Sequence, residues 1–256
     1  MAADYLGLPT HAERSRLYRN KGDGTFEDVT KAMGLYRVVP GMGINYGDLD
    51  NDGWLDFYQG TGNPELSMVV PNRMFRNDRG RVFQDVTTAG NFGHLQKGHA
   101  IAFADLDDDG DQDVLEEMGG AYSVDQAYTA LYRNPGNGNA WVSLELEGVE
   151  TNRRALGARL AVRIETPDGP RSLHRVVSSG GSFGDSPFRQ EIGLGDAQRI
   201  AGVEIFWPVS GQTQKVTGLL PGHRYRIREG VAEAVEVPMR KVSLGGNTQR
   251  AAQAER

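Results

Sequence analysis

Leu17-Tyr18-Arg19-Asn20 returns as Met74-Phe75-Arg76-Asn77 and again as Leu131-Tyr132-Arg133-Asn134, each step being 57 residues. Phe26 and Phe83, Asp28-Val29-Thr30 and Asp85-Val86-Thr87, and Asp48 and Asp105 keep the same spacing without a gap. Features that share one period mark an internal repeat, and repeats decide architecture before any single element does. Within the repeat, apolar residues come in short alternations bounded by Gly, Asn and Asp. Ile44 and Tyr46 lead into one acidic stretch, and Leu55 and Phe57 leave it. Ile101 and Phe103 lead into a second, and Val114 and Leu115 leave it. These are strand-length segments, not helices. A 57-residue unit of short strands suits a four-stranded propeller blade, whereas a solenoid coil is normally shorter.

Working outward, the same step taken back from Asp48 falls ahead of Met1, so the chain holds one half-repeat and two whole ones. A propeller closes with about 4–8 blades. The remaining blades are therefore expected from a longer chain, of which these 256 residues form a C-terminal part. The start, Met-Ala-Ala-Asp-Tyr-Leu-Gly-Leu-Pro, has neither the basic nor the apolar region of a signal peptide. Such a peptide is expected upstream.

The charge is concentrated. Net charge is −6, yet residues 48–56 carry four Asp and residues 105–117 carry eight acidic groups. Outside those stretches, basic groups outnumber acidic ones 28 to 22. The overall sign argues against a nucleic-acid partner. No run of 18 apolar residues is present, so no transmembrane helix is expected. Cysteine is absent, which excludes disulfides, thiolate metal sites and a Cys nucleophile.

The two acidic stretches share the pattern D-x-D-x-D-G-x-x-D. One is Asp48, Asp50, Asp52, Gly53, Trp54 and Asp56; the other is Asp105, Asp107, Asp109, Gly110, Asp111 and Asp113. Carboxylates at positions 1, 3 and 5 converge when the chain wraps an ion, and Gly at position 6 permits the bend. Position 7 offers a backbone carbonyl, from Trp54 or Asp111, and the Asp at position 9 closes the shell. Hard oxygen ligands on a flexible loop favour Ca²⁺ over Mg²⁺, so two Ca²⁺ sites are expected, one per loop. An ion-free acidic turn is the plain alternative, but five fixed positions recur in register with an independent repeat. An EF-hand is the sharper one, since Glu116 occupies position 12 of loop two. Loop one has Gln59 there, and Asn91–His99 holds two Gly where an entering helix is required.

After Asn134 the period stops. Asn134-Pro135-Gly136-Asn137-Gly138-Asn139 is turn-rich. Beyond it Val142, Leu144 and Leu146 alternate with polar residues, as do Leu160, Val162 and Ile164, then Val203, Ile205 and Trp207, then Tyr225 and Ile227. Val176-Val177 reads as a short apolar core. The expected fold is all-β: partial propeller blades over residues 1–133, a small β-sandwich over 134–230, and a flexible tail over 231–256.

The acidic loops, the approach Gly41-Met42-Gly43 and the recurrent Leu-Tyr-Arg-Asn…Gly-Thr-Phe…Asp-Val-Thr segment resemble FG-GAP/VCBS-type repeats, which form the propeller of integrin α chains and of the cartilage acidic protein family. The resemblance covers residues 1–134 and implies Ca²⁺ ligation by the loop aspartates. The second half is similar to the ASPIC/UnbV domain. The matching stretches are Thr151–Arg159, Ser179-Gly180-Gly181-Ser182-Phe183, Gly193-Leu194-Gly195 and Ile205-Phe206-Trp207-Pro208. That domain usually follows FG-GAP-type repeats, in the order present here.

Catalytic signals are sparse. Gly180-Gly181-Ser182-Phe183-Gly184 matches G-x-S-x-G, but Asp185-Ser186-Pro187 breaks the helix a nucleophile elbow needs. The five His are scattered, with no zinc motif; His94 and His99 lie near loop two, and His174 is the only speculative partner of Ser182. Arg153, Arg154 and Arg159 read as a solvated basic face, and Trp54 and Trp141 as packing residues. Two function classes follow. One is a calcium-binding, non-catalytic adhesion or ligand-binding repeat protein, secreted or envelope-associated (extracellular, periplasmic or outer envelope), with a protein or polysaccharide partner. The other is an accessory protein or enzyme of a biosynthetic pathway, a setting that the UnbV name evokes.

Overall fold

A computed structural model describes residues 14–244, Met68 and Ser179 excepted. Every regular element among them is a strand, and none is a helix. A hairpin of β1 (Tyr18–Asn20) and β2 (Phe26–Asp28) opens the chain. A four-stranded meander follows: β3 (Gly41–Gly47), β4 (Asp56–Thr61), β5 (Arg73–Asp78) and β6 (Val82–Asp85), paired in that order. Then come three strands, β7 (Gly98–Ala104), β8 (Asp113–Met118) and β9 (Ala130–Tyr132). These sheets are propeller-like blades. Their repeat extends to irregularities: β3 slips register between Gly41 and Ile44, and β7 does so between Gly98 and Ile101.

The blades pack face to face. Tyr58 and Met74 of the first meet Ile101, Phe103 and Val114 of the second, with Phe92 between them, all buried. Burying such side chains contributes about 1.5–3 kcal/mol each. The approach is close because glycines line it. A Cβ on Gly43 would stand 1.6 Å from the His99 carbonyl oxygen. The other face of the first blade is open: Ile44, Tyr46, Phe57 and Phe83 form an apolar cleft with Leu17 and Leu35.

Two four-stranded sheets make the second half. β10 (Ala140–Glu147) lies between β13 (Gln190–Gly195), antiparallel, and β16 (Arg224–Arg228), parallel; β17 (Val235–Glu236) completes that sheet. β11 (Arg159–Thr166) lies between β12 (Gly169–Val176) and β14 (Arg199–Phe206), with β15 (Thr213–Val216) at the edge. The alternating residues enter one core between the sheets: Val142, Leu144, Leu160, Val162, Ile164, Val203, Ile205, Trp207 and Ile227 are all buried. Buried Trp207 satisfies its indole N–H by donating to Gln214 Oε1 at 2.9 Å.

Two expectations need correction. Val176-Val177 does not enter the core as a pair: Val177 is buried but Val176 is 53% exposed, because consecutive residues of a strand face opposite ways. The stretch from 231 is partly built into the fold as far as it is described. β17 pairs with β16, and the Val242 amide donates to the Asp107 carbonyl at 2.8 Å. A short polar segment reads as tail from its composition, and only those partners hold it. Residues 245–256 lie outside the described residues.

The halves are joined by more than the junction. Between β12 and β13 the chain dips onto the inner edges of the blades. There the Ser182 carbonyl accepts the Ile44 amide at 3.1 Å, and the Phe183 carbonyl accepts the Ile101 amide at 2.9 Å. Asn45 Nδ2 donates to the Ile101 carbonyl at 2.8 Å and to Ser186 Oγ at 3.2 Å. The G-x-S-x-G stretch is this bridging loop, with Phe183 and Gly184 at positive φ. Strand edges that pairing would leave open are covered here by backbone of the second domain.

Candidate metal centres

The two acidic loops fold alike, position by position. At position 1, Asp48 Oδ2 accepts the Gly53 amide at 3.0 Å, and Asp105 Oδ2 accepts the Gly110 amide at 3.2 Å. At position 5, Asp52 Oδ1 accepts the Trp54 amide at 2.8 Å, and Asp109 Oδ1 accepts the Asp111 amide at 3.1 Å. At position 9, Asp56 brackets the loop, taking the Leu49 amide at 2.8 Å and the Asn77 amide at 2.7 Å. Asp113 does the same with Leu106 at 3.1 Å and Asn134 at 2.8 Å. Position 4 is left-handed in both, at Asn51 (φ 53°) and Asp108 (φ 57°), and so is position 6, Gly53 and Gly110. Asn and Asp tolerate that conformation better than other residues with side chains.

The repeated Arg-Asn pair is thereby explained. Arg76 Nε lies 2.9 Å from Asp50 Oδ2, and Arg133 Nε lies 3.6 Å from Asp107 Oδ2. Asn77 Nδ2 donates to the Leu55 carbonyl and Asn134 Nδ2 to the Gln112 carbonyl, each at 3.1 Å. The motif on the third strand of each blade holds the acidic loop that precedes it.

In loop one the carboxylates of Asp48, Asp50 and Asp56 offer oxygens all within 4.8 Å of one another; in loop two Asp105, Asp107 and Asp109 do so. Asp52 and Asp113 stand outside these groups, held by the amides named above. Asp111 points instead at Asn51 Nδ2 (2.9 Å) and Asn137 Nδ2 (3.0 Å). Trp54 presents its ring to the Arg171 guanidinium at 4.5 Å, with Gly80 against it.

These carboxylates are short of partners. Asp48 and Asp107 are buried, and the Oδ1 atoms of Asp48, Asp50 and Asp107 receive no hydrogen bond. Burial pushes the Asp48 carboxyl up to about 7 against the opposing Arg175. Burial likewise takes Asp56 up to about 8 and, joined by Glu191, Asp105 up to about 6. Desolvation penalises the charged form, and a cation reverses the penalty. Buried, partnerless, converging oxygens fit a hard divalent ion, so both clusters could hold a metal.

Sequence reasoning missed the counter-charges of the second domain. Arg175 Nη2 stands 3.3 Å from Asp48 Oδ2, Arg189 Nη1 stands 3.5 Å from Asp108 Oδ1, and Arg224 pairs with Asp108. No local signal marks these arginines; they lie between 81 and 127 residues from their partners. Trp141 rests on the Gly110 backbone of loop two, a packing role. Glu116 does not join loop two; it turns into the core between the blades, where Tyr58 and Tyr132 donate to it. Among the His, His99 Nε2 approaches the Gly119 carbonyl at 2.7 Å and His94 Nδ1 accepts the Gln96 amide, while His174 is exposed. None belongs to a metal-type cluster among the described residues. His11 lies outside those residues. Ser182 Oγ faces the Met42 carbonyl at 3.5 Å.

Blades with twin acidic loops, followed by a β-sandwich docked on them, define the class. The family model of the FG-GAP-like repeat matches residues 2–59, and that of ASPIC and UnbV matches residues 148–234. The chain thus carries an FG-GAP-like repeat and an ASPIC/UnbV domain. The chain is 33% identical over 103 residues to cartilage acidic protein 1 of Xenopus tropicalis. The match takes in 39% of this chain and 15% of that protein's length. No helix among the described residues is long and apolar enough to cross a membrane.

Proposed function

We propose that this chain is a calcium-binding, non-catalytic adhesion or ligand-binding repeat protein of the extracellular or envelope space, its Ca²⁺ ions structural and seated in the two blade loops. The carrying observation is the pair of buried, partnerless Oδ1 atoms of Asp48 and Asp107 inside three-carboxylate clusters. Asp48, Asp50 and Asp56 would hold one ion, and Asp105, Asp107 and Asp109 the other. Both loops are clusters of hard oxygen ligands, which suits the larger, less demanding Ca²⁺ rather than octahedral Mg²⁺. The location outside the cytoplasm is supported by the cartilage in the relative's name and by the FG-GAP-like match. A non-catalytic role is supported by the bridging use of the Ser182 loop and by two domain types that bring no catalytic indication. The partner is a protein or a polysaccharide.

Isothermal titration with CaCl₂ tests the reading. Two sites are expected, with Kd on the order of 10⁻⁴–10⁻³ M as in extracellular modules. Asp50→Ala and Asp107→Ala should each abolish one of them. A flat titration of the chelator-treated chain would defeat the proposal.

A further inference from the structure

We infer that the acidic loops are a cation-dependent clasp between the two domains: filling them locks the C-terminal sandwich onto the blades, and emptying them loosens that joint. The inference rests on the calcium reading above and adds to it what the ions control.

Loop one is held from its own blade by Arg76 and Asn77 and from the other side by the sandwich. The Gly193 amide donates to Asp48 Oδ2 at 3.2 Å, and the Gly195 amide donates to the Asn51 carbonyl at 2.7 Å. Arg171 Nη1 donates to the Asp52 carbonyl at 3.0 Å, and Asn139 Nδ2 to the Asp50 carbonyl at 2.7 Å. The seat is tight: a Cβ on Gly193 would stand 2.3 Å from Asn51 Cα. Loop two is gripped the same way. Arg189 Nη2 donates to the Asp105 carbonyl at 2.7 Å, and the Asp105 amide donates to Glu191 Oε2 at 3.0 Å. The loops themselves touch, Asn51 Nδ2 donating to the Gly110 carbonyl at 3.1 Å.

Charge supplies the coupling. Loop one brings four Asp, met by Arg76 from its blade and by Arg171 and Arg175 from the sandwich. Loop two brings six Asp between 105 and 113, faced by Arg133, Arg189 and Arg224, with Glu191 of the sandwich adding another negative charge. With every carboxylate ionised, as a bound cation requires, both loops stay negative after their arginines and, at loop two, Lys241 are counted. A desolvated surplus of like charge is costly. A divalent ion removes it in the docked state; without one, the carboxylates must take up protons or water must reach the partnerless oxygens, and the sandwich stands in the water's way. The cation therefore distinguishes docked from loosened states, which is the condition for shifting between them. Reciprocity follows: whatever loosens docking weakens cation binding.

Hydrogen exchange on the full chain, with saturating Ca²⁺ and then with EGTA, reads the joint directly. The Gly193 and Gly195 amides are the reporters, and the β11–β14 ladder is the internal control. Chelation should speed exchange at Gly193 and Gly195 about tenfold or more while the control is unchanged. A second arm uses Gly184→Ala, which touches neither loop. Its Cβ would stand 2.2 Å from the Ile101 carbonyl oxygen and prise the bridging loop off the blades. It should raise the Ca²⁺ Kd by about fivefold or more. If this variant does not fold, the wild-type arm decides alone. Faster exchange within residues 48–56 and 105–113 but not at Gly193 and Gly195 would overturn the clasp and leave the calcium reading standing. Absence of any Ca²⁺ heat would remove the calcium reading and the clasp with it.

Discussion

Two buried glutamates show how single residues set the pH response. Glu116 lies wholly buried between the blades, accepting from Tyr58 at 2.9 Å and Tyr132 at 3.2 Å, with Oε1 unpartnered. Burial lifts its carboxyl to about 7 against those two hydrogen bonds. A folded-state value above the unfolded one means the native state holds the proton longer, so stability falls as pH rises from about 4.5 to about 7. Glu116→Gln should remove that slope and melt higher than wild type at pH 8, by an amount that vanishes at pH 4.5. Thermal scans in saturating Ca²⁺ at both pH values check it. Glu229 is the opposite case. Burial opposes its charge, but the Val149, Glu150 and Thr151 amides and the Ser210 and Thr151 hydroxyls donate to it and carry it down to about 2. Its contribution is present above about 4.5 and is lost as pH falls towards 2. Glu229→Gln should cost about 1–3 kcal/mol at pH 7 and far less near pH 2. Urea melts at pH 7 and thermal scans near pH 2 check it.

At the scale of elements, the blade is a device for presenting one loop. Its third strand returns an Arg and an Asn to the loop between its first two, and its first strand uses glycine where the next blade comes close. Gly43→Ala would drive a methyl into backbone at the His99 carbonyl, which no rotamer change relieves. Overpacking of this kind costs about 1–3 kcal/mol, equivalent to a melting shift of about 2–12 °C. An unchanged melting temperature would refute the close packing of β3 on β7. The period was legible here because each of its residues has a local partner: Asp56 meets Leu49 and Asn77, and Asp113 meets Leu106 and Asn134. The difference between the loops was not legible. The same pattern gathers Asp56 into one cluster and Asp109 into the other.

Over the whole molecule, calcium should act as a stabiliser through mass action. At about 10 mM Ca²⁺ and a Kd of order 10⁻⁴–10⁻³ M, each occupied site adds about 1.4–2.7 kcal/mol. Calorimetry of the full chain should therefore show a melting temperature that climbs with CaCl₂ and falls back with EGTA. Asp50→Ala and Asp107→Ala should each lose about half of the climb. A Mg²⁺ titration giving the same climb would contradict the proposed ion preference.

By itself the sequence determined the strand period, the all-β class, the halt of the repeat near Asn134 and where the two acidic loops lie. Each of these is a local property: alternation, turn chemistry and carboxylate spacing act within a single repeat and leave their pattern in the chain. Only the tertiary structure decided that β10 runs parallel to β16, that the Ser182 loop covers the inner strands, that Val242 is seated beside Asp107, and that Arg175, Arg189 and Arg224 face the acidic loops. Those pairings join residues far apart in sequence. Their charges and backbone groups carry no mark of the partner until two cores have formed and brought them together. An exposed-looking arginine in a strand reads as solvent-facing, and it becomes a counter-ion only because the sheet that bears it packs over a loop with carboxylates to spare.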